Sequence, residues 1–524
     1  MKKMKAFFTM LFVLLFFFSN NYNAHAQFEI NWQFCYGEVM VDNAYCSLLV
    51  EDGYLVGGQR NHYPFLLKVD FEGNLVWEKL YYGENLEGGG VTHIIATSSG
   101  DINLVGLIKS IDGSNYTQFG VFKVDTQGEI IWVKTYGAAT TTDHLTSAIL
   151  THDGGLVIGG SINGGGGDVS VYYGLRDAWI VKIDSLGNIL WDFTMGSGSV
   201  EFTSAILETS DHKLLISVNN SHIYGETNIN CDNTYWEGTL FMLDADGQEL
   251  WQNCYGGTYA DVFNDIYELD DGFLLLGSSE SNDGDLEGAG CHYTGPTEPT
   301  DDFWLSKIDF EGNMLWSKCY GGYNREHGDQ IIPYKNDEFL LIGNTQSHSG
   351  DVSGNNSFPG QYDIWIVKVN SIGELIWEQC FGDLGWDMLY SDVIPNGDKY
   401  FFPAAFPQGS GNSGMVYCGD GGPYYMWLFE VSDITVGLSA NSERPAFLSV
   451  VPDAYGQAIA FRRSSQQQEQ GSISISDING RFIASIPINS EAAVWDCSHI
   501  CSGVYFYQYH CGKHYESGKV IVRR

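Results

Sequence analysis

The residues of this chain best suited to chemistry are carboxylates set beside glycines. Ser281-Asn282-Asp283-Gly284-Asp285-Leu286-Glu287-Gly288 and Ser349-Gly350-Asp351-Val352-Ser353-Gly354-Asn355 share a Gly-Asp pattern, echoed at Gly167-Asp168-Val169-Ser170. Hard oxygen donors on a sharply turning backbone are what a Ca²⁺ loop requires, so Asp168, Asp283, Asp285 and Asp351 are candidate metal ligands. Neither of the two longer loops has full EF-hand spacing, and the same residues serve equally well as solvated Asx turns. A second acidic set follows each Tyr-Gly or Gly-Gly: Asp42, Asp143, Glu201, Asp261, Glu326 and Asp387. A residue recurring in nearly every unit reads as a structural cap at a strand start. Pointed together into one channel, the six would form a carboxylate ring, at a high cost in like-charge repulsion. Loop aromatics, among them Tyr172, Tyr173, Trp236, Tyr293 and Tyr424, are candidate ligand-binding residues. They could stack on sugars or fold their own loops down as satellite cores.

An enzyme would need two carboxylates in contrasting environments, or a metal with an open position. The acids here repeat from unit to unit and single out no such pair. His93, His144, His152 and His212 are scattered in or beside strands, with no HExxH and no nucleophile elbow. The formal charge of −39 is concentrated in residues 27–436, which carry 15 basic against 58 acidic residues. Such a surface repels nucleic acid and anionic lipid and attracts cations, and it also keeps an exported protein soluble.

These residues are positioned by a repeat. Lys182-Ile183-Asp184-Ser185-Leu186-Gly187-Asn188-Ile189-Leu190-Trp191 returns as Lys307-Ile308-Asp309-Phe310-Glu311-Gly312-Asn313-Met314-Leu315-Trp316. It recurs at 368–377, 123–132 and 68–77, and more loosely at 242–251, while Trp32 stands alone near the start. The tryptophans lie 45 to 65 residues apart, the length of one propeller blade. Each unit shows four strand signals, a to d, with the Trp on d. Strand b recurs seven times, whereas a strand d follows a strand c only six times. The seventh strand c, 425–431, lacks a Trp strand, and Trp32 lacks its own a, b and c. Pairing the two closes a seven-bladed ring and removes two open edges. The Trp is then placed to wedge against a neighbouring blade, and the Asp-x-x-Gly turn gives Gly its positive φ.

In such a blade the b–c and d–a connections open on one face. The b–c loops are long at 162–176, 219–237, 279–301, 345–362 and 405–423, five consecutive blades, forming a crescent where binding would reside. The unit resembles the bacterial seven-bladed propeller repeat family, whose repeat runs D-x-W-x-x-K-x-D-x-x-G-x-x-x-W and then G-G; Asp177-Ala178-Trp179 to Trp191 and Asp363-Ile364-Trp365 to Trp377 carry it. That resemblance implies fold and leaves activity open.

Composition changes after Val436. Short strands around a Gln-rich stretch suggest a small β-sandwich over residues 437–524. The stretch is similar to the type A C-terminal sorting domain of the type IX secretion system. The similarity lies in Asp477 to Arg481 (with Gly480), Asp496-Cys497-Ser498 leading into Gly503-Val504-Tyr505, and Gly518-Lys519-Val520. The usual Y-P-N-P opening is replaced by Val450-Val451-Pro452-Asp453. The resemblance implies handling by the type IX machinery, passage through the outer membrane, and tail cleavage with surface attachment or release. At the other end, Lys2, Lys3 and Lys5, an apolar run from Ala6 to Phe18 and Ala24-His25-Ala26 have the layout of a signal peptide over 1–26, and no later segment suggests a membrane span.

Eleven cysteines in an exported chain permit disulfides. Cys35, Cys254, Cys319 and Cys380 follow the repeat Trp by three residues, in a slot that elsewhere holds Leu or Thr and so reads as a packing site. Cys231 with Cys291, both in long loops, is the pair to test first. Cys497, His499, Cys501, His510 and Cys511 could hold zinc, or be incidental residues or one disulfide.

The sequence thus predicts an all-β protein: a signal peptide, a seven-bladed β-propeller over 27–436 closed by its N-terminal strand, and a C-terminal sorting domain. The expected function is non-catalytic binding or scaffolding at the cell surface for a glycan or protein, with Ca²⁺ a possible cofactor. The alternatives are an extracellular hydrolase or lyase acting on polysaccharide through loop-face acids, and a spacer without a ligand.

Overall fold

The computed structural model describes residues 27–434 except 37–41, 83–88, 110–115, 139–140, 222–226, 230, 232–235, 293–299, 356, 383–385, 390 and 408–423. Beyond these it describes the strands between Leu448 and Val522. The chain divides into two compact units, Met1–Asp433 and Ile434–Arg524. Apart from two short 3₁₀ turns, Gly284–Leu286 and Lys335–Asp337, its described elements are strands.

The first unit is a seven-bladed β-propeller. Six blades are four-stranded antiparallel sheets in simple order, as in blade 3: His144–Leu150, Leu156–Ile162, Asp177–Ile183 and Ile189–Met195. Strands b and c of that blade are buried along their whole length, Asp177 and Lys182 included. Strand d is exposed at its start and buried at its end. Strand a carries a β-bulge in each of the six, for example between Leu145 and Ser147.

Register explains the repeat. Lys182 pairs with Trp191 across the c–d hairpin, and the same pairing joins Lys68 to Trp77, Lys123 to Trp132, Lys307 to Trp316 and Lys368 to Trp377. From there the Lys reaches the a–b turn: Lys182 Nζ lies 2.8 Å from Asp153, Lys307 2.8 Å from Asp271 and Lys368 2.5 Å from Glu338. In the c–d turn, the Asp184 carboxylate accepts the N–H groups of Leu186 and Asn188, and Asp70, Asp125, Asp244 and Asp309 do the same in their blades.

Trp and Gly of the motif meet across blades. Each c–d turn glycine has positive φ and lies against the Trp of the preceding blade: Gly73 on Trp32, Gly128 on Trp77, Gly187 on Trp132, Gly247 on Trp191, Gly312 on Trp251 and Gly373 on Trp316. The tyrosine ending strand d adds a hydrogen bond to the same glycine carbonyl, from Tyr81 to Gly128 (3.0 Å), Tyr136 to Gly187 (2.8 Å), Tyr255 to Gly312 (2.7 Å) and Tyr320 to Gly373 (2.5 Å). This contact makes a prediction. Gly247→Ala sets a Cβ 2.7 Å from the Trp191 ring, whereas one on Gly154, at nearly the same φ, meets nothing within 4 Å. Gly154→Ala is expected to cost about 1 kcal/mol of backbone strain. Gly247→Ala is expected to cost at least about 2 kcal/mol more, read from denaturant midpoints.

The ring closes as the repeat count requires. The N-terminal strand Gln27–Tyr36 pairs with Tyr424–Ile434, the c strand of blade 7, and serves as its outermost strand. Trp427 Nε1 donates to Gln33 Oε1 (3.2 Å), matching Trp179 to Asp192 in blade 3 (3.0 Å) and Trp365 to Glu378 in blade 6 (2.8 Å). Phe28 packs edge-on against Trp377 and Tyr400, and Asn31 donates to Glu430.

The disulfides correct the sequence expectation. Cys231 bonds Cys254 and Cys291 bonds Cys319, with Cα separations of 5.9 and 4.8 Å. Each bridge ties a b–c loop to strand d of its own blade, so Cys231 and Cys291 do not pair. The slot three residues after the Trp therefore also serves as an anchor, while Cys380, in the same slot of blade 6, is a buried free thiol.

The second unit has a three-stranded sheet, Leu448–Pro452, Ala458–Arg463 and Ala492–Asp496, and a four-stranded one, Phe482–Ile488, Gly471–Asp477, Gly503–Cys511 and His514–Val522. Both contribute to one apolar cluster that includes Phe461, Ile473, Ile475, Trp495, Tyr505 and Tyr507.

Candidate functional site

On the loop face of blades 2 to 6, a glycine follows strand d: Gly137, Gly196, Gly256, Gly321 and Gly382. Gly137, Gly256 and Gly321 donate their N–H groups to Asp168, Asp285 and Asp351 at 3.1, 3.0 and 3.2 Å, and accept the same residues' N–H groups in return. In blade 4, Asn228 makes the identical reciprocal pair with Gly196. An amide doing the work of a carboxylate shows that this position needs a hydrogen-bond acceptor rather than a charge. Asp283 instead accepts from Thr258 N–H (2.8 Å) and Oγ1 (2.5 Å). The four candidate Ca²⁺ ligands thus fall in three blades. Among the described residues, none belongs to a group of three metal-ligating side chains with donors within 4.8 Å of one another.

Beside these pins lie the acids at the start of strand a. Asp143, Glu201, Asp261 and Glu326 are fully buried and cap the backbone of the preceding d–a turn: Ala138 N–H to Asp143 (3.0 Å), Ser197 to Glu201 (3.1 Å), Gly257 to Asp261 (2.6 Å) and Gly322 to Glu326 (2.8 Å). Asp387 is buried in the same slot, and the side chain of Asp42 lies outside the described residues. A second carboxylate, at the start of strand c, faces the same turn in some blades; Asp302 and Glu326 both crowd Gly321. Burial raises these acids, offset in part by their hydrogen bonds: Asp143 to about 7, Asp177 to about 6, Glu201 to about 7, Asp261 to about 6 and Glu326 to about 8. They are caps that take up protons at a higher pH than a free carboxylate does.

Among the described residues, the predicted aromatics Tyr172 and Tyr173 lie in blade 3 and Trp236 in blade 4. Tyr172 is half-buried over the blade 2–3 core, its hydroxyl donating to the Leu175 carbonyl (2.9 Å). The N–H of Tyr173 donates to Asp177. Trp236 lies half-buried against Phe202, with ring centroids 5.7 Å apart. Tyr424 sits in strand c of blade 7, opposite Pro407, and Tyr293 lies outside the described residues.

A different set gathers where blades 5, 6 and 7 meet. Asp301 accepts from His327 Nδ1 at 2.9 Å, with Arg325 Nε 3.7 Å away, and His327 Nε2 contacts the Tyr362 hydroxyl at 3.0 Å. Trp386 stands edge-on to Tyr362 at 5.8 Å, and Tyr323 edge-on to His292 at 5.9 Å. Tyr323 is 63% exposed and Trp386 42%, so both rings present apolar surface to solvent beside the charged groups. Burial pulls the His327 imidazole down, but the hydrogen bond and charge of Asp301 more than offset it, leaving it above the usual histidine range. Glu280 is raised by burial and by the charge of Asp301. The sequence carried a signal for this site. Arg325 and His327 flank the capping Glu326, a pair of basic residues in a region where bases are outnumbered almost four to one.

Inside the ring, the channel has a cavity of about 560 Å³ lined in part by Tyr45, His93, Thr146, Ser391 and Asp392. Asp265 and Asp329 are raised to about 7, chiefly because protein surrounds them, and the charge of Asp392 pushes each further. Burial lowers His93 to about 4, so it is neutral.

Comparison with known proteins assigns the tail. Residues 457–523 match the family described as Secretion system C-terminal sorting domain. The matched stretch contains Asp477, Gly480, Arg481, Gly503, Tyr505, Gly518 and Lys519, with Gly480 and Arg481 outside the described residues. A sorting tail of this type is handled by the type IX secretion machinery, and the protein is exported to the cell surface or secreted. No helix among the described residues is long and apolar enough to cross a membrane. A search of curated proteins finds no match. Among solved structures, the Pan2 WD40 domain of Neurospora crassa is similar at 11% identity and TM-score 0.41, covering 74% of this chain and 89% of its own. A puromycin hydrolase follows at 10% and 0.43, over 90% and 61% of the two chains, and the phage phi92 endosialidase at 10% and 0.37, over 84% and 75%. Likenesses this distant say nothing of function.

Proposed function

We propose that this exported propeller is a non-catalytic glycan-binding scaffold whose ligand seats on the loop face at the junction of blades 5 to 7. The observation that supports this reading is the pairing of solvent-open Tyr323 and Trp386 with the Asp301–Arg325–His327–Tyr362 network. Aromatic faces offer a sugar ring its apolar contact, while Arg, His and carboxylate groups orient hydroxyls. The disulfides and Gly–Asp pins hold the neighbouring loops on the rigid blades, which lowers the ordering cost of binding. The capping acids are already engaged with backbone, which leaves them poorly placed to act as an acid–base pair.

The test is a glycan-array screen of the purified protein, run with added calcium and with chelator so that calcium-dependent and calcium-independent binding are told apart. A hit is expected, and Trp386→Ala and Arg325→Ala are each expected to weaken it about tenfold or more. Hits that both variants retain at full strength would remove the site from this face. Turnover of a bound polysaccharide would move the reading to a hydrolase or lyase.

A further inference from the structure

On the opposite face, three side chains far apart in sequence come together. His152 lies in the a–b turn of blade 3, Glu208 ends strand a of blade 4, and His212 lies in the a–b turn of blade 4. We propose that they form a transition-metal site, best suited to Zn²⁺, that ties blade 3 to blade 4. One donor atom from each residue lies within 4.8 Å of the others. His152 Nδ1 is 2.6 Å from Glu208 Oε1, His212 Nδ1 is 3.9 Å from the same oxygen, and the two rings stack at 3.6 Å.

The scaffold requires the glutamate but not imidazoles beside it. Glu208 Oε2 accepts the N–H of His152 at 2.8 Å, and one blade on, Glu268 accepts the N–H of Ser210 at 2.8 Å. Ser210 Oγ also bonds Glu268 at 2.8 Å, as His152 Nδ1 bonds Glu208 at 2.6 Å, so serine suffices for the clamp and the imidazole adds only a metal donor. His212 is less expected still. It has φ +65° in the turn slot that holds Gly154 in blade 3 and Gly100 in blade 2, both at positive φ. A β-substituted residue there is strained, and the protein retains one whose ring stacks on His152.

Ligand chemistry selects the metal. Two imidazoles and one carboxylate suit zinc or its neighbours, while calcium prefers oxygen alone. Zinc–ligand bonds are about 2.0–2.2 Å, so the donors must close inward. The half-exposed rings, at 46% and 52%, have room to rotate. Nearby cations do not compete, because Lys182 is paired with Asp153 and Lys213 with Asp211. Three protein ligands leave a fourth position for water. The acidic surface of the propeller raises the local concentration of divalent cations.

The test uses the purified, chelator-treated protein titrated with ZnCl₂, followed by calorimetry and by thermal melting. One site is expected, with a rise in melting temperature that excess chelator reverses. His152→Ala and His212→Ala are each expected to weaken zinc binding by about tenfold or more. His212→Gly restores the glycine of the slot. It is expected to leave the metal-free protein as stable or more stable while removing the zinc-dependent rise. Unchanged zinc affinity in the His152→Ala/His212→Ala double variant, or no binding by the native protein, would overturn the proposal.

Discussion

The protein is expected to melt at a higher temperature at pH 5 than at pH 8, by about 5 °C or more. Five buried acids (Asp143, Asp177, Glu201, Asp261 and Glu326) have folded pKa values near 6 to 8, against about 4 when unfolded. Between these limits the folded state binds more protons than the unfolded one. Their stabilisation is therefore complete below about pH 4 and is lost as pH rises through 6 to 8. Asp265 and Asp329, raised to about 7, act in the same direction. His292 and His327, raised by their carboxylate partners, add to it. His93, lowered to about 4, opposes it between pH 4 and 6.5. The turn aspartates Asp70, Asp184 and Asp309 are held below the usual range by hydrogen bonds, so their contribution is lost only in stronger acid. Melting curves across pH 4–9 check this, and Glu326→Gln is expected to flatten the profile. A maximum at pH 8 would contradict it.

Deleting residues 27–36 is expected to lower the melting temperature by about 10 °C or to prevent soluble folding. The deletion removes the outermost strand of blade 7 and uncovers the edge of Tyr424–Ile434. It strips Phe28 from Trp377 and Tyr400, and Trp32 from Gly73 of blade 1. Burying two aromatics contributes roughly 2–3 kcal/mol each, before the lost backbone pairing is added. The opened ring also presents an unpaired edge, a template for aggregation. Thermal melting and light scattering of the truncated protein measure both effects.

The architecture was legible in the sequence because each blade repeats the same local solution. Lys, Asp, Gly and Trp recur at fixed spacing since they meet at fixed places: Lys182 opposite Trp191, Asp184 under its own turn, Gly247 against the previous blade's Trp. The solitary Trp32 and the unpartnered seventh strand c identified the closure by arithmetic alone. Capping by the strand-a acids could also be anticipated, because a residue needed in nearly every blade serves the fold. Sites were harder to see for the same reason. A repeat announces what blades share, whereas Asp301, Arg325, His327, Tyr362 and Trp386 belong to three blades and to no motif. His152 and His212 read as scattered because nothing in a linear pattern shows that adjacent a–b turns touch. The cysteine pairing was misjudged because the slot after the Trp looked like packing alone, while the b–c loop folds back over strand d of its own blade.

Ring closure is tested most directly by amide hydrogen exchange in the intact protein. Strand Gln27–Tyr36 is expected to exchange as slowly as the outer strands of the other blades, through opening of the whole propeller. Exchange within seconds along that strand, while the other outer strands stay protected, would show that the N-terminal segment does not complete the seventh blade.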